Sequence, residues 1–177
     1  ELVGRFSDSG IELSGKATLF GAPVDFVVTE DRLQDRLVFR AKAPKAEGLA
    51  TLLASATDLD VKGSLGGNIM LVTGSALTDF EIELSLDLAD TSIDIPAIGW
   101  AKLPAEPGKA SMRLVLKDGA PMAIENIDIE AGSLEVVGRT GFAASEGNGI
   151  AVTDASFRRL SWPGNDIGML ELSRDVD

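Results

Sequence analysis

The sequence, which has 177 residues, contains neither cysteine nor histidine. Without cysteine the chain can form no disulfide and offers no thiolate nucleophile. Without histidine it lacks the commonest general base, the Ser-His-Asp and Cys-His nucleophilic arrangements and the ligands of nearly all zinc sites. The site chemistry that remains is limited to carboxylate pairs, Ser-Lys arrangements and oxygen-ligated Ca²⁺ or Mg²⁺.

Basic residues are scarce relative to acidic ones, and long apolar runs are missing. Lys and Arg number 16 against 28 Asp and Glu, for a net charge of -12, so the chain repels phosphate backbones and we expect no nucleic-acid partner. No apolar run reaches the roughly 18 residues of a membrane-spanning helix. The chain starts without Met or a signal peptide and ends just after a strand-like run. We interpret residues 1–177 as a single module excised from a longer protein, so that any membrane anchor or targeting signal lies outside it.

Strict alternation of apolar and polar residues marks the segment 79–88, DFEIELSLDL. Its apolar residues, on one face of a strand, are Phe80, Ile82, Leu84, Leu86 and Leu88. Such alternation is the strongest strand signal in a single sequence, and it recurs in about ten segments separated by turn signals. Because no helical pattern separates most of these segments, the sequence predicts an antiparallel sheet built mostly from sequential neighbours.

Only one segment, KAEGLATLLASA (45–56), has the apolar spacing of a helix. The proline-containing segment 95–110 shows little alternation and is predicted to be an ordered surface excursion rather than a strand, and 145–149 is predicted to be an exposed tip. Trp100 and Trp162 lie in or near Pro/Gly-containing loops. They either plug the ends of the core or rim an opening to a ligand or membrane.

The apolar side of the predicted sheet is too wide for one short helix to cover. About ten strands, ~4.8 Å apart, give a sheet roughly 45–50 Å wide, whereas three helical turns cover a small part of it. The sheet therefore either folds onto itself as a sandwich or barrel, or curls into a groove that meets a hydrophobic ligand. With 5% aromatic residues and no tyrosine, the lining is mostly aliphatic, which suits acyl chains and an ordinary core equally.

The charged residues have structural interpretations that compete with catalytic ones. The carboxylates of the first strand are Asp79, Glu81, Glu83 and Asp87. Their spacing of about 6.5–7 Å is loosely in the range of glycosidase pairs, but they are expected to belong to a solvated face. Asp90 and Asp94 follow without the spacing of an EF-hand. One residue of the Arg158-Arg159 pair is predicted to face solvent and to pair with a carboxylate on the neighbouring strand.

A motif in the segment 86–119 supports a family resemblance. A strand ends in LDLAD, a Pro-x-x-Gly-Trp-x-Lys loop follows, and an amphipathic strand ends in Asp-Gly. The matching positions are Leu86, Asp87, Leu88, Ala89, Asp90, Pro96, Gly99, Trp100, Lys102 and Pro104. Together with the strand–Gly–strand run 124–143, this segment resembles the AsmA-like envelope proteins, in the YhdP branch. Leu103, between the lysine and the proline, departs from the pattern of that family.

The resemblance implies a fold and a role. Proteins of this family are anchored in the inner membrane of Gram-negative bacteria and extend into the periplasm. They resemble bridge-like lipid transfer proteins, whose repeated β-groove modules form a taco-shaped trough lined by aliphatic side chains, and they are implicated in moving phospholipid toward the outer membrane. The family has no catalytic residues to carry over, so the resemblance implies neither an enzyme nor a cofactor.

The sequence therefore predicts an all-β, strongly curved antiparallel sheet, as an open or taco-like groove or alternatively a closed sandwich, with one short helix. The favoured hypothesis is a segment of a periplasmic lipid conduit, whose partners are phospholipid acyl chains and the adjacent β-groove repeats, with nothing polar to recognise the headgroup. The residues expected to line it are Phe80, Ile82, Leu84, Leu86, Met112, Leu114 and Leu116. The alternative is a structural or protein-interaction module of the cell envelope, with a dry closed core and edge strands that pair with the next module.

Overall fold

The computed structural model describes residues 2–19, 22–47, 50–51, 54, 59–145 and 149–174. Antiparallel pairing joins most of its strands into one 12-stranded sheet that is not closed into a barrel. The strands are β1 Leu2–Ser7, β2 Gly10–Leu19, β3 Ala22–Asp31, β4 Arg36–Ala46, β5 Asp60–Gly63, β6 Leu65–Thr73, β7 Phe80–Asp87, β8 Thr91–Ile95, β9 Trp100–Lys102, β10 Gly108–Lys117, β11 Ala120–Ala131, β12 Leu134–Ser145, β13 Gly149–Trp162, β14 Asn165–Ile167 and β15 Leu170–Ser173.

The large sheet follows the chain from one edge to the other. Its order is β1-β2-β3-β4-β6-β7-β10-β11-β12-β13-β14, and β15 also pairs with β13. The strands that are left out of this order form a second, 3-stranded sheet, β5-β8-β9. It is built from two excursions of the chain, one between β4 and β6 and one between β7 and β10. The prediction of an all-β, antiparallel fold made from sequential neighbours is confirmed.

The strand register places an apolar row across the whole large sheet. Directly opposed residues of an antiparallel pair project from the same face, so the Cα partners of Ile82 can be followed from strand to strand. The row reads Gly4, Leu13, Val28, Phe39, Leu71, Ile82, Leu114, Ile124, Thr140, Ala155 and Leu172. One face of the sheet is therefore apolar along nearly its full width.

The opposite face carries ion pairs between neighbouring strands. Arg113 on β10 pairs with carboxylates on both sides: its Nη2 lies 2.6 Å from Glu81 Oε2 on β7, and its Nη1 lies 3.8 Å from Glu125 Oε2 on β11. Arg159 on β13 pairs with Glu135 on β12, which confirms the prediction for the Arg158-Arg159 pair. Glu81, Glu125 and Glu135 are partly exposed, so each of these pairs contributes well under ~1 kcal/mol.

The buried core lies at one end of the strands. The small sheet, together with helical residues Ala50 and Ala54, packs over the apolar face there. The large sheet contributes the start of β6, the chain just after β7, the start of β10, the end of β11 and the start of β12. The buried members of this cluster are Ala50, Val61, Leu65, Leu88, Ile93, Trp100, Ala110, Ala131 and Leu134. We call the covering layer, formed by β5, β8 and β9, the cap.

Register shifts interrupt the pairing of the large sheet at several strands. One lies on β11 between Ile124 and Ile127 and includes Asn126, which has a φ of 51°. Asparagine tolerates this left-handed conformation better than most residues. Another falls between Val137 and Gly138. Because a bulge bends its strand and increases the local twist, these shifts favour a curved sheet over a flat one.

Several local predictions are changed by the structure. The segment 95–110 contains strand structure, contrary to the prediction: a 3-10 helix at Pro96–Ile98 is followed by strand β9, whose Trp100 is 2% exposed. Both tryptophans belong to or pack against the core cluster, in agreement with the first of the two interpretations given for them. The predicted helix over 45–56 begins too early, because Lys45 and Ala46 belong to β4. The helix also lies partly outside the described residues, and those described at 47, 50, 51 and 54 are helical. Most of the predicted tip at 145–149 also lies outside them.

Candidate functional site

The seven residues expected to line the apolar face lie together on β7 and β10. In this pair of strands Leu116 is opposite Phe80, Leu114 is opposite Ile82, and Met112 is opposite Leu84. All seven side chains are partly exposed. The seventh, Leu86, packs against the capped core, whereas the other six continue beyond the cap toward the opposite end of the strands. We call the apolar surface that these six residues form, with their same-face neighbours, the open face.

The open face continues onto strands β6, β4 and β3. Ile69 and Leu71 on β6 oppose Leu84 and Ile82, and the next strands add Phe39 and Phe26. The rings of these two phenylalanines stack with their centroids 6.2 Å apart. These residues were not among those predicted to line the site. The alternation in their segments was the available signal, and only the pairing order shows that they share a face with β7.

The cap is attached by the residues of the Pro-x-x-Gly-Trp-x-Lys motif. Pro96 begins the 3-10 helix, and Gly99 ends it with a φ of 62°, in the left-handed conformation that glycine adopts without strain. The indole of Trp100 is buried in the core, and its Nε1 donates a hydrogen bond to Ser133 Oγ at 3.2 Å. The motif therefore positions the cap over the core.

Lys102 is the motif residue with the least expected environment, because it is 1% exposed. Its ammonium donates to the carbonyl oxygens of Thr91 at 2.9 Å and Leu103 at 3.1 Å, and lies 3.4 Å from that of Ala89. Burial lowers the pKa of Lys102 from its usual value, and the carboxylates of Glu106, Asp90 and Asp87 oppose that shift. Leu103 is 62% exposed, and it contributes to the environment of Lys102 through its carbonyl oxygen.

The end of the strands away from the cap, called here the uncapped end, has turns that are joined to one another. Ser75 N donates to Asp35 Oδ1 at 3.1 Å, which links the β6–β7 loop to the β3–β4 turn. Asp118 N donates to Asp79 Oδ1 at 3.1 Å, which links the β10–β11 turn to the same loop. A cavity of about 600 Å³ opens here, beside Phe80 and Leu116. A second, of about 320 Å³, lies between the β3–β4 turn and the β6–β7 loop.

Within the described ranges, no group of three or more acidic residues is placed to hold a metal ion, and no helix is long and apolar enough to cross a membrane. No family model matches the chain, and neither the curated proteins nor the solved structures contain a match.

Proposed function

We propose that this chain is a non-enzymatic lipid-binding module that holds phospholipid acyl chains on its open face. In the full-length protein it would form one segment of a periplasmic lipid conduit between the inner and outer membranes, tethered to the inner membrane and continued by adjacent β-groove repeats. The family resemblance of the segment 86–119 supports this cellular setting. The site is formed by Phe80, Ile82, Leu84, Leu86, Met112, Leu114 and Leu116.

The observation that carries the proposal is the apolar row through Ile82, combined with a cap that covers one end of the strands. The row crosses ten strand intervals of about 4.8 Å, or roughly 48 Å along the sheet. Its central members Ile82, Leu114 and Phe39 are partly exposed. Contiguous apolar patches of this extent are rare on monomeric proteins without a binding role.

Lipid binding on such a surface depends on shape and hydrophobicity. Each methylene group that leaves water on the open face gains about 0.8 kcal/mol. The side chains of the central strands, such as Leu84 and Met112, offer no hydrogen-bond donor that would fix an acyl chain at one place. Acyl chains can therefore slide along the row from strand to strand, while the outer face with its ion pairs keeps the module in water.

A matched pair of charge insertions tests the proposal. Leu84→Glu places a carboxylate on the open face, and Ser85→Glu places the same group on the opposite, solvated face of β7. Native mass spectrometry after incubation with phospholipid measures retained lipid. We expect the wild-type chain and Ser85→Glu to retain phospholipid, and Leu84→Glu to lose most of it while its circular dichroism spectrum is unchanged. Equal retention by the two variants, or none by the wild-type chain, would contradict the proposal.

A second candidate function, a protein-interaction module, is favoured by the edge strand β1. All of its described residues are exposed, and its apolar side chains include Leu2 at 66% and Phe6 at 76% exposure. An exposed edge of this kind is a template for pairing with another strand. In this alternative the apolar face stays free of lipid and the edges join neighbouring modules, so an excess of a synthetic β1 peptide would compete with self-association.

A further inference from the structure

One carboxylate lies on the apolar face, at its uncapped end. Glu30, near the end of β3, is opposite Ile11 on β2 and Leu37 on β4. Leu37 is in turn opposite Thr73, and Thr73 is opposite Phe80. The register therefore places Glu30 in the same cross-strand row as Phe80, on the face that otherwise carries apolar side chains. In sequence Glu30 looks like the polar end of a strand next to a turn.

A cation accompanies this carboxylate. Arg32 Nε donates to Glu30 Oε2 at 3.1 Å, and the two side chains are 53% and 37% exposed. A guanidinium has five N–H donors and a carboxylate has about four acceptor sites. Within the described residues this single contact is the only hydrogen bond of the Arg32 guanidinium, so its terminal nitrogens and Glu30 Oε1 remain available to a ligand.

The pair borders the cavity of about 320 Å³, next to apolar side chains of Leu37 and Leu77. The two other carboxylates of this cavity are already engaged. Asp31 Oδ1 accepts hydrogen bonds from Leu33 N and Gln34 N, and Asp35 accepts one from Ser75 N. Glu30 is thus the lining carboxylate whose only described partner is a side chain that can also bind an anion.

We propose that this cavity is a headgroup subsite for a zwitterionic phospholipid that carries a primary ammonium. Arg32 donates to the phosphate, Glu30 accepts from the ammonium, and Leu37 and Leu77 contact the glycerol and the first acyl carbons as the chains pass onto the open face. The inference rests on the proposed function, and it adds a class of lipid where the sequence indicates no headgroup recognition.

The charges of the cavity favour this class over anionic lipids. Its lining contains three carboxylates and two guanidinium groups, for a formal charge of -1, on a chain whose net charge is -12. An anionic headgroup would gain the contact with Arg32 but would be repelled by Glu30 and by the chain as a whole. A diacylglycerol, which has no phosphate, would leave both members of the pair without a new partner.

A competition experiment on the 177-residue chain tests the subsite. The chain is incubated with equal amounts of phosphatidylethanolamine, phosphatidylglycerol and diacylglycerol that share the same acyl chains, and the retained lipids are quantified by native mass spectrometry. The test variants are Glu30→Gln and Arg32→Gln. The control is Glu12→Gln, since Glu12 also belongs to an exposed ion pair, with Arg5 at 3.9 Å, but on the opposite face.

We expect the wild-type chain and Glu12→Gln to prefer phosphatidylethanolamine over both competitors. Glu30→Gln should reduce the preference for phosphatidylethanolamine over phosphatidylglycerol by about 3- to 10-fold, because the groups are partly exposed, and the total amount of retained lipid should not change. Arg32→Gln should reduce the preference for phosphatidylethanolamine over diacylglycerol, because Arg32 binds the phosphate that diacylglycerol lacks. Retention of all three lipids in equal amounts, or identical ratios for Glu30→Gln and Glu12→Gln, would overturn the subsite and leave lipid binding intact. A wild-type chain that retains no lipid would refute the proposed function as well.

Soluble glycerophosphoethanolamine separates the lipid from its free headgroup. It should displace phosphatidylethanolamine from the wild-type chain only in large excess, because it cannot use the open face. If it bound as tightly as the lipid, the acyl chains would contribute nothing and the subsite next to Glu30 would not belong to a lipid-binding surface, which would overturn the proposal.

Discussion

Two identical substitutions on the apolar face distinguish its open part from its capped part. Leu84 and Leu88 project from the same face and are four residues apart. Leu88 is 3% exposed within the core under the cap, whereas Leu84 is partly exposed between Ile69 and Met112. Replacing each with glutamate removes the same apolar side chain and adds the same charge, so the difference in stability reports how well each position is shielded from water.

The expected costs differ by several kcal/mol. At Leu88 the substitution loses a buried leucine, worth about 2–5 kcal/mol in cores, and also moves a carboxylate out of water into the core under the cap, which costs several kcal/mol more or unfolds the module. At Leu84 the new carboxylate can reach water. We therefore expect the free energy of unfolding to fall by about 1–2 kcal/mol, mainly because a partly buried leucine side chain is lost. Urea unfolding followed by circular dichroism measures both. If Leu84→Glu destabilised the chain as much as Leu88→Glu, the open face would be covered and the reasoning for a lipid surface would fail.

Three further substitutions test the cap and the sheet. Lys102→Met leaves the carbonyls of Thr91 and Leu103 without their donor and should cost about 2–4 kcal/mol in urea unfolding, since each buried group left unpaired costs about 1–3 kcal/mol. Because burial lowers the pKa of Lys102 from 10.5, the unfolded chain binds more protons just below that pH. The free energy of unfolding of the wild-type chain should therefore rise with pH just below pH 10.5. If it rose equally in Lys102→Met, the lowered pKa of Lys102 would be contradicted. Gly99→Ala, with φ at 62° and no atom within 4 Å, should cost about 1–2 kcal/mol from strain alone. Gly138→Ala should lower the melting temperature further, because its Cβ would lie 2.5 Å from Phe157; a neutral effect would contradict this contact.

Strands with strict alternation could be predicted from the sequence because each has one wet face and one apolar face. β7 and β10 are of this kind, and the six residues of the open face follow from their pattern. The second sheet could not be predicted in this way. The apolar residues of DVKGSLGGNIMLVT have the spacing of one strand, but the segment divides at Ser64 between β5 and β6, where Gly63 has a φ of 99° and Ser64 N donates to Asp90 O. Ser64 and Asp90 are far apart in the sequence, so the residues around Ser64 give no indication of this hydrogen bond.

Two charged residues illustrate a further limit of the pattern. A lysine in a short proline-containing segment is normally solvated, so Lys102 gave no indication that its ammonium is enclosed by backbone carbonyls. Glu30 ends the strand-like segment VDFVVTE, and only the register shows which residues of the neighbouring strands lie beside it. In both cases the environment depends on chain segments from other strands, and hydrophobic periodicity describes only the residue's own strand.

The sequential order of the large sheet has a consequence for how such a module can vary in length. The buried cluster draws its described members from the helical residues, from β5 to β12 and from the segments between them, while β1 to β3 are joined to it through hairpin neighbours. A hairpin inserted or deleted at the β1 edge would change the width of the sheet by about 9.6 Å, two strand spacings of ~4.8 Å, without altering a single contact under the cap. The width of the apolar surface and the integrity of the core can therefore be changed independently.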